Sequence, residues 1–460
     1  MMSSTASTDI PQALPTADAI DLRKKYVSPS LSLHYSEYKP LHIVKGDGLF
    51  LIDDAGTHYL DCINNVALVG HSHPRLVQVL RQQLANPSFR VSPDGTLLPD
   101  DRLLEDYMAK IFRTVPEADF DVILFLRSGS EANDLALSIA KAVTESTQVL
   151  VLDGAYHGHS QATMCLSTYK MNQATTDSTY KIEADAVIVP KPDIFRGQYK
   201  DPKTAGQLYA DDVKAQMESV LSQGKGIAAF ISEPFLGTAG QVPLPPGYLQ
   251  TVYKYVREAG GLCIADEVQT GFARSGVKFW LHQTHRAIPD ILVLGKPMAN
   301  GHPISAVMTK SELVKKFTDK HGPHILNEFI SDSLSLALAN TVMDIISDEK
   351  LQENALSMGN YVLERLKILK DKYSCIGDVR GIGLFIGIEI IKEVDNVKVA
   401  DGVMAELLVK KALLEHNVLL REDGVDHNVI KIKPPITFSK DNAETLINAI
   451  DRSLHSLTSS

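Results

Sequence analysis

Gly261-Leu262-Cys263-Ile264-Ala265-Asp266-Glu267-Val268-Gln269 and Asp290-Ile291-Leu292-Val293-Leu294-Gly295-Lys296-Pro297 decide the fold. Each is an apolar run that stops abruptly at a charged residue. Such a run reads as a strand buried on both faces, the kind found in parallel sheets. In open parallel sheets, ligands gather at the carboxyl ends of the strands. Asp266 and Lys296 are therefore expected to face each other across one site.

Working outward, the same short apolar pattern recurs at Val122 to Leu126, Val149 to Leu152, Ala186 to Val189 and Ala228 to Ile231. Helical periodicity at Glu131 to Val143, Asp211 to Leu221 and Tyr248 to Ala259 falls between these runs. Alternating strands and helices predict α/β architecture with a mainly parallel, doubly wound sheet. Leu49 to Leu60 alternates around Asp53-Asp54-Ala55-Gly56, a hairpin signal. A helical pattern runs from Leu334 to about Ile346. Beyond it, Ile376 to Glu389, Val418 to Leu420 and Val429 to Ile432 read as strands of a smaller α+β unit. The expected organisation is a flexible arm over 1–25, a segment over 26–73 joining the small domain, a large domain over 74–333 and a small C-terminal domain over 334–460. The segment from Thr168 to Tyr209 is poorly periodic and is open to two readings, an active-site flap or a surface excursion.

The chain has 460 residues, 44% hydrophobic and 22% charged, with a formal net charge of −10. That balance argues against binding nucleic acid or an anionic membrane, which needs basic surface. No apolar run approaches a membrane span. Cys62, Cys165, Cys263 and Cys375 are scattered with no CxxC, which favours reduced thiols and a cytoplasmic location. The His71/His73 and His157/His159 pairs have metal-ligand spacing but no suitably spaced third acidic or Cys ligand, so no metal is expected.

Arg127-Ser128-Gly129-Ser130-Glu131-Ala132-Asn133 follows a strand and opens a helix. Free N–H groups at a helix start, with two hydroxyls, suit an anion such as a cofactor phosphate. Ser128 and Glu131 also read as a capping box, and both readings can hold together. Asp153-Gly154-Ala155-Tyr156-His157-Gly158-His159 places a Tyr between glycines at a strand end, where it either stacks on an aromatic cofactor or is half-buried packing. Gly381-Ile382-Gly383-Leu384-Phe385-Ile386-Gly387 has the wrong spacing and context for a dinucleotide loop. Arg380 before it suits a substrate carboxylate. A carboxylate and an amine beside a buried cofactor are what pyridoxal 5′-phosphate (PLP) chemistry uses.

From about residue 40 to 455 the ordered set of these motifs, with Glu233-Pro234 and Asp266-Glu267-Val268-Gln269-Thr270-Gly271, resembles the class III PLP-dependent aminotransferases. Gly295-Lys296-Pro297-Met298-Ala299-Asn300-Gly301-His302-Pro303, the stretch from Arg380 to Gly387, and Lys431-Ile432-Lys433-Pro434-Pro435 are most similar to its ethanolamine-phosphate and phosphohydroxylysine phospho-lyase branch. The resemblance implies a fold-type I homodimer with its site at the interface, acting on a small amine or amino acid. It implies that Lys296 is the Schiff-base lysine and acid/base, and that Asp266 holds the ring nitrogen protonated. Gln269 is implied to meet the ring hydroxyl, Tyr156 and Val268 the two ring faces, and Ser128, Gly129 and Ser130 the phosphate. His157 and Glu233 join the cofactor set, with Glu233 ordering the substrate side.

Two places depart from the family pattern. Arg127 stands where Thr or Asn is usual, and Asn327-Glu328-Phe329-Ile330-Ser331-Asp332-Ser333 replaces a Thr-Gly-Gly phosphate contact. An Arg127–Glu328 pair, or a hydroxyl from Ser331 or Ser333, is expected to compensate. With that loop altered, the sequence leans towards amino transfer over phosphate elimination, and a non-catalytic dimeric scaffold stays as a third reading.

Overall fold

The computed structural model describes residues 16–27, 40–85, 101–171, 185–322 and 332–459. Its centre is a seven-stranded sheet: β1 (Val122–Leu126), β2 (Gln148–Leu152), β3 (Ala186–Val189), β4 (Ile227–Ser232), β5 (Leu262–Asp266), β6 (Ile291–Leu294) and β7 (Ser305–Thr309). The spatial order is β1-β7-β6-β5-β4-β2-β3. The strands from β6 to β3 pair in parallel, with Ile264 beside both Ile231 and Ile291. β2, β4 and β6 are buried throughout, so their continuous apolar runs reflect cover on both faces.

β7 was not foreseen, and it runs antiparallel to both β6 and β1. The chain between Leu294 and Ser305 is too short for a right-handed crossover, which takes a dozen residues or more. It folds instead into a tight 3₁₀ turn, Lys296–Ala299, and returns beside β6.

The C-terminal part contains an antiparallel sheet built from Ile376–Ile382, Phe385–Val394, Val397–Ala400, Arg421–Asp423 and Val429–Ile432. The expected single strand from Ile376 to Glu389 is in fact a hairpin, with Ile382 opposite Phe385. Gly383 turns it at φ +52, pressed against the Arg274 and Ser275 carbonyls where a Cβ would lie within 2.5 Å. Val418–Leu419 leaves this sheet and pairs in parallel with His58–Asp61, joining the N-terminal hairpin to the C-terminal part. One core runs from Tyr59 through Leu292 and Leu336 to Leu454, under all of these elements.

Helix Ser333–Asp348 is buried on nearly every side, which its apolar sequence allows. The arm expected to be flexible is a helix over Thr16–Tyr26 with no buried residue, and Thr16 donates a hydrogen bond to Asp54 at 2.7 Å. Residues 1–15 lie outside the described set. The segment from Thr168 to Tyr209 contributes β3 and the start of helix Ala205–Ser222. Its residues near Phe195 and Arg196 line a cleft with Lys398 and Asp426, away from the residues expected to act. Among the described residues no helix is long and apolar enough to cross a membrane.

Candidate active site

The carboxyl ends of β1, β2, β4, β5 and β6 converge on one cavity of about 270 Å³. Ser128, Gly129, Ser130, Tyr156, His157, Glu233, Asp266, Val268, Gln269 and Lys296 all line it. The amino end of β7 closes one side through His302, Pro303 and Ile304.

Asp266 is the last residue of β5 and is buried. Its Oδ2 accepts from Asn133 Nδ2 at 2.8 Å and lies 2.8 Å from His157 Nδ1, while Oδ1 accepts the Val268 N–H at 3.1 Å. Asn133 also donates to the His157 carbonyl at 2.8 Å, so it fixes both partners. The neighbouring Glu267 points into the core instead, accepting from Thr270 and the His282 N–H. Asn133 belongs to none of the expected site residues, yet it is a polar residue on the helix face that otherwise buries Ala132, Ala136, Leu137 and Ala140.

Lys296 follows β6 with φ +38, in the left-handed region where a non-glycine residue is strained. Burial pushes its amine pKa down, and Lys431 adds to this, while Asp266 and Glu233 act against it. Glu233 accepts the N–H groups of Tyr156 at 3.3 Å and Gly237 at 3.1 Å. Burial raises its pKa, opposed first by His157. The Tyr156 hydroxyl lies 2.8 Å from His159 Nδ1. His71 and His73 sit elsewhere, against Asp61 and Glu349.

At the end of β1, Ser128 caps helix Gly129–Thr144 in a full capping box, accepting the Glu131 N–H at 3.2 Å. The box engages the N–H groups of Ser128 and Glu131, not those of Gly129 and Ser130. Both of the latter residues face the cavity. A Cβ on Gly129 would lie 2.9 Å from a Val268 methyl, so only glycine lets the helix start come this close. Gly158, at φ +136, abuts Ser130, where a Cβ would fall 2.4 Å from the hydroxyl. Helix start, buried carboxylate and strained lysine thus fit the phosphate, ring nitrogen and reactive carbon of PLP.

Among the described residues, Arg127 lines the cavity and meets the carboxylate of Asp332, 2.6 Å from Nη2, with Ser335 Oγ and the Pro303 carbonyl accepting from Nη1; the expected pairing with Glu328 falls outside the described residues. Asp332 is also the N-cap of helix Ser333–Asp348. Asn327, Glu328 and Ser331 lie outside the described residues. Ser333 is buried within its own chain, not presented at the surface.

Arg380 is not in the cavity. Its guanidinium donates to Glu389 at 2.5 Å, Asp378 at 3.2 Å, and the Gly240 and Gln241 carbonyls at 2.6 and 2.8 Å. The expected carboxylate clamp is therefore occupied by protein groups.

The sequence profile of the class III aminotransferases matches residues 33–454. The chain belongs to this family. The family is PLP-dependent, and its fold is that of the fold-type I enzymes. This class III chain is 41% identical over 445 residues to a Drosophila melanogaster protein named alanine–glyoxylate aminotransferase 2-like, covering 95% of the chain and 86% of the relative. It is 36% identical to ethanolamine-phosphate phospho-lyase homolog 1 of Caenorhabditis elegans, covering 98% and 97%. Among solved structures it is similar to an Arthrobacter phospholyase in complex with phosphoethanolamine, with TM-score 0.87 and 33% identity over 95% of this chain and 100% of that one. A PLP-bound amine transaminase from an uncultivated Pseudomonas species gives 0.83 at 25% identity over 94% and 98%.

Proposed function

We propose that this class III enzyme removes a proton from the amine-bearing carbon of a phosphorylated primary amine, and that the reaction ends in loss of phosphate and ammonia. The observation that carries the reading is the meeting of Lys296, Asp266 and the Gly129–Ser130 helix start in one cavity. Bound PLP supplies an electron sink for the charge left at that carbon.

The chain's own residues do the rest. Lys296, its amine made less basic by burial, takes the proton as a base. Asp266 keeps a proton on the ring nitrogen, held in place by Asn133, His157 and the Val268 N–H. The Gly129 and Ser130 N–H groups receive the cofactor phosphate. Tyr156 and Val268, which both line the cavity, would pack against the ring.

Elimination is favoured over amino transfer because Arg380 is committed to Glu389 and Asp378. An amino acid or keto acid thereby loses the carboxylate anchor that the sequence suggested. Similarity to the phosphoethanolamine-bound phospholyase supports the same choice. Amino transfer is the second reading, supported by the relative named as an aminotransferase. A homodimer belongs to the proposal through the family resemblance, and light scattering tests it. The free, buried thiols of Cys62 and Cys263 suit a reducing compartment such as the cytosol.

The test is to incubate the PLP-loaded protein with phosphoethanolamine, and separately with an amine plus a keto acid. Phosphate release is expected in the first; keto-acid-dependent amine loss without any phosphate release overturns elimination. Lys296→Ala should abolish turnover and the absorbance band near about 420 nm while leaving the circular dichroism of the fold intact. Near-normal turnover in that variant overturns the whole reading.

A further inference from the structure

Lys433 is a lysine with almost no exposed surface, 2%. It follows strand Val429–Ile432, and its backbone N–H donates to the Cys62 carbonyl at 2.7 Å, which pins the start of its side chain. Lys431, two residues earlier, has a carboxylate partner, Asp423, at 2.8 Å. No carboxylate lies within ion-pair reach of Lys433 Nζ among the described residues. Its amine instead donates to Gln269 Oε1 at 2.9 Å and sits 4.3 Å from the centre of the Phe385 ring. A buried amine without a counter-ion is costly, so its placement calls for a reason.

The reason lies in what Gln269 must present. Its Oε1 also accepts from Asn65 Nδ2 at 3.1 Å. While Lys433 keeps its third proton it can only donate, so in that state the Gln269 atom facing it is the oxygen. With that oxygen held by two donors, the amide cannot turn over. Gly237 lies beside the same amide, where an added Cβ would stand 3.2 Å from both terminal atoms. The remaining group, the Nε2 donor, belongs to a residue that lines the cavity. A donor there meets an oxygen on the cofactor ring, whereas the flipped amide would set two acceptors against each other.

We propose that Lys433, with Asn65, is a positioning residue that locks the Gln269 amide with its N–H towards the cofactor's ring hydroxyl. This rests on the PLP reading given above. Around Lys433 the charged groups are Lys431 and Lys296 on one side of the balance and Asp423 and Glu233 on the other. Lys433 does not touch substrate in this proposal; it acts through Gln269.

A donor on the ring oxygen makes the cofactor–Lys296 linkage easier to deprotonate. The pH at which the band near about 420 nm disappears therefore reports the lock. In the holoenzyme, Lys433→Met should raise that pH by about one unit, a tenfold change in proton affinity. Gln269→Ala should raise it similarly, and adding Lys433→Met to Gln269→Ala should shift it no further. Asn65→Ala, which keeps Lys433, should move it in the same direction by less and serves if Lys433→Met does not fold. An unshifted band in Lys433→Met or, should that variant not fold, in Asn65→Ala overturns the proposal. So does a Lys433→Met shift that persists in the Gln269→Ala background, because Lys433 would then act by its charge alone. Absence of any band in the PLP-treated wild type would instead bring down the PLP reading itself.

Discussion

Asp266 shows how one carboxylate is kept ready for a ring nitrogen. An Asp at a strand end is most often a turn former. Here its two oxygens are met by Asn133, His157 and a backbone N–H, none of them a carboxylate. Asp266→Asn keeps the shape but removes the charge, and it places a second amide against the Asn133 donor. Turnover is expected to fall by at least about 100-fold, with cofactor still bound. A variant running at the wild-type rate would reduce Asp266 to a turn former. The same scale limits what sequence can reveal. Asp266 and Lys296 stood out because each ends an apolar run. Asn133, Asn65 and Lys433 did not, because their importance comes from meeting in space across more than one hundred residues.

At the scale of elements, the parallel strands were legible because burial on both faces leaves a signature of consecutive apolar residues. Ile291–Leu294 carries it end to end. Ser305–Thr309 begins and ends in a hydroxyl residue, and its antiparallel direction is set by a short connection, so its pattern gave no warning. The hairpin at Gly383 was hidden for a related reason: Ile382-Gly383-Leu384-Phe385 looks like uninterrupted strand until the positive φ at Gly383 is known. The tie between β1 and helix Ser333–Asp348 is likewise a relation between elements. Arg127 and Asp332 depend on each other, since Asp332 without Arg127 is a largely buried charge with no cationic partner among the described residues. Arg127→Ala should weaken cofactor binding more than Arg127→Ala combined with Asp332→Asn. Asn is used because it keeps the helix cap. A coupling of about 1–3 kcal/mol in cofactor affinity is expected from the cycle, and additive effects would refute the dependence.

At the scale of the whole molecule, Arg380 ties the C-terminal sheet to the loop that follows β4. It sits on a strand of the C-terminal sheet and holds the Gly240 and Gln241 carbonyls. Glu389, which it pairs with, is also met by Arg196 at 2.6 Å. Arg380→Met is therefore expected to lower stability by about 3 kcal/mol and to affect carboxylate and simple-amine substrates alike. A loss confined to carboxylate substrates would return Arg380 to the role its sequence position suggested.

The two buried lysines, Lys296 and Lys433, also leave a mark on the stability of the entire chain. Burial lowers the pKa of both Lys296 and Lys433 from an ordinary value of 10.5. In the unfolded chain both amines keep their protons until about pH 10.4. Between the lowered native values and that point, the unfolded state binds more protons than the native state. Stability contributed by these lysines therefore rises with pH across that window. Cys62 and Cys263, whose thiols burial pushes up, act in the opposite direction at the alkaline end. A single curve of melting temperature against pH would mix these effects, so the comparison must be between chains. The cofactor-free wild type should gain stability with rising pH more steeply than cofactor-free Lys433→Met, by up to about one proton's worth of slope. Parallel curves would mean that Lys433 holds its proton equally well folded and unfolded. Its burial against Phe385 and Gln269 would then carry no electrostatic cost.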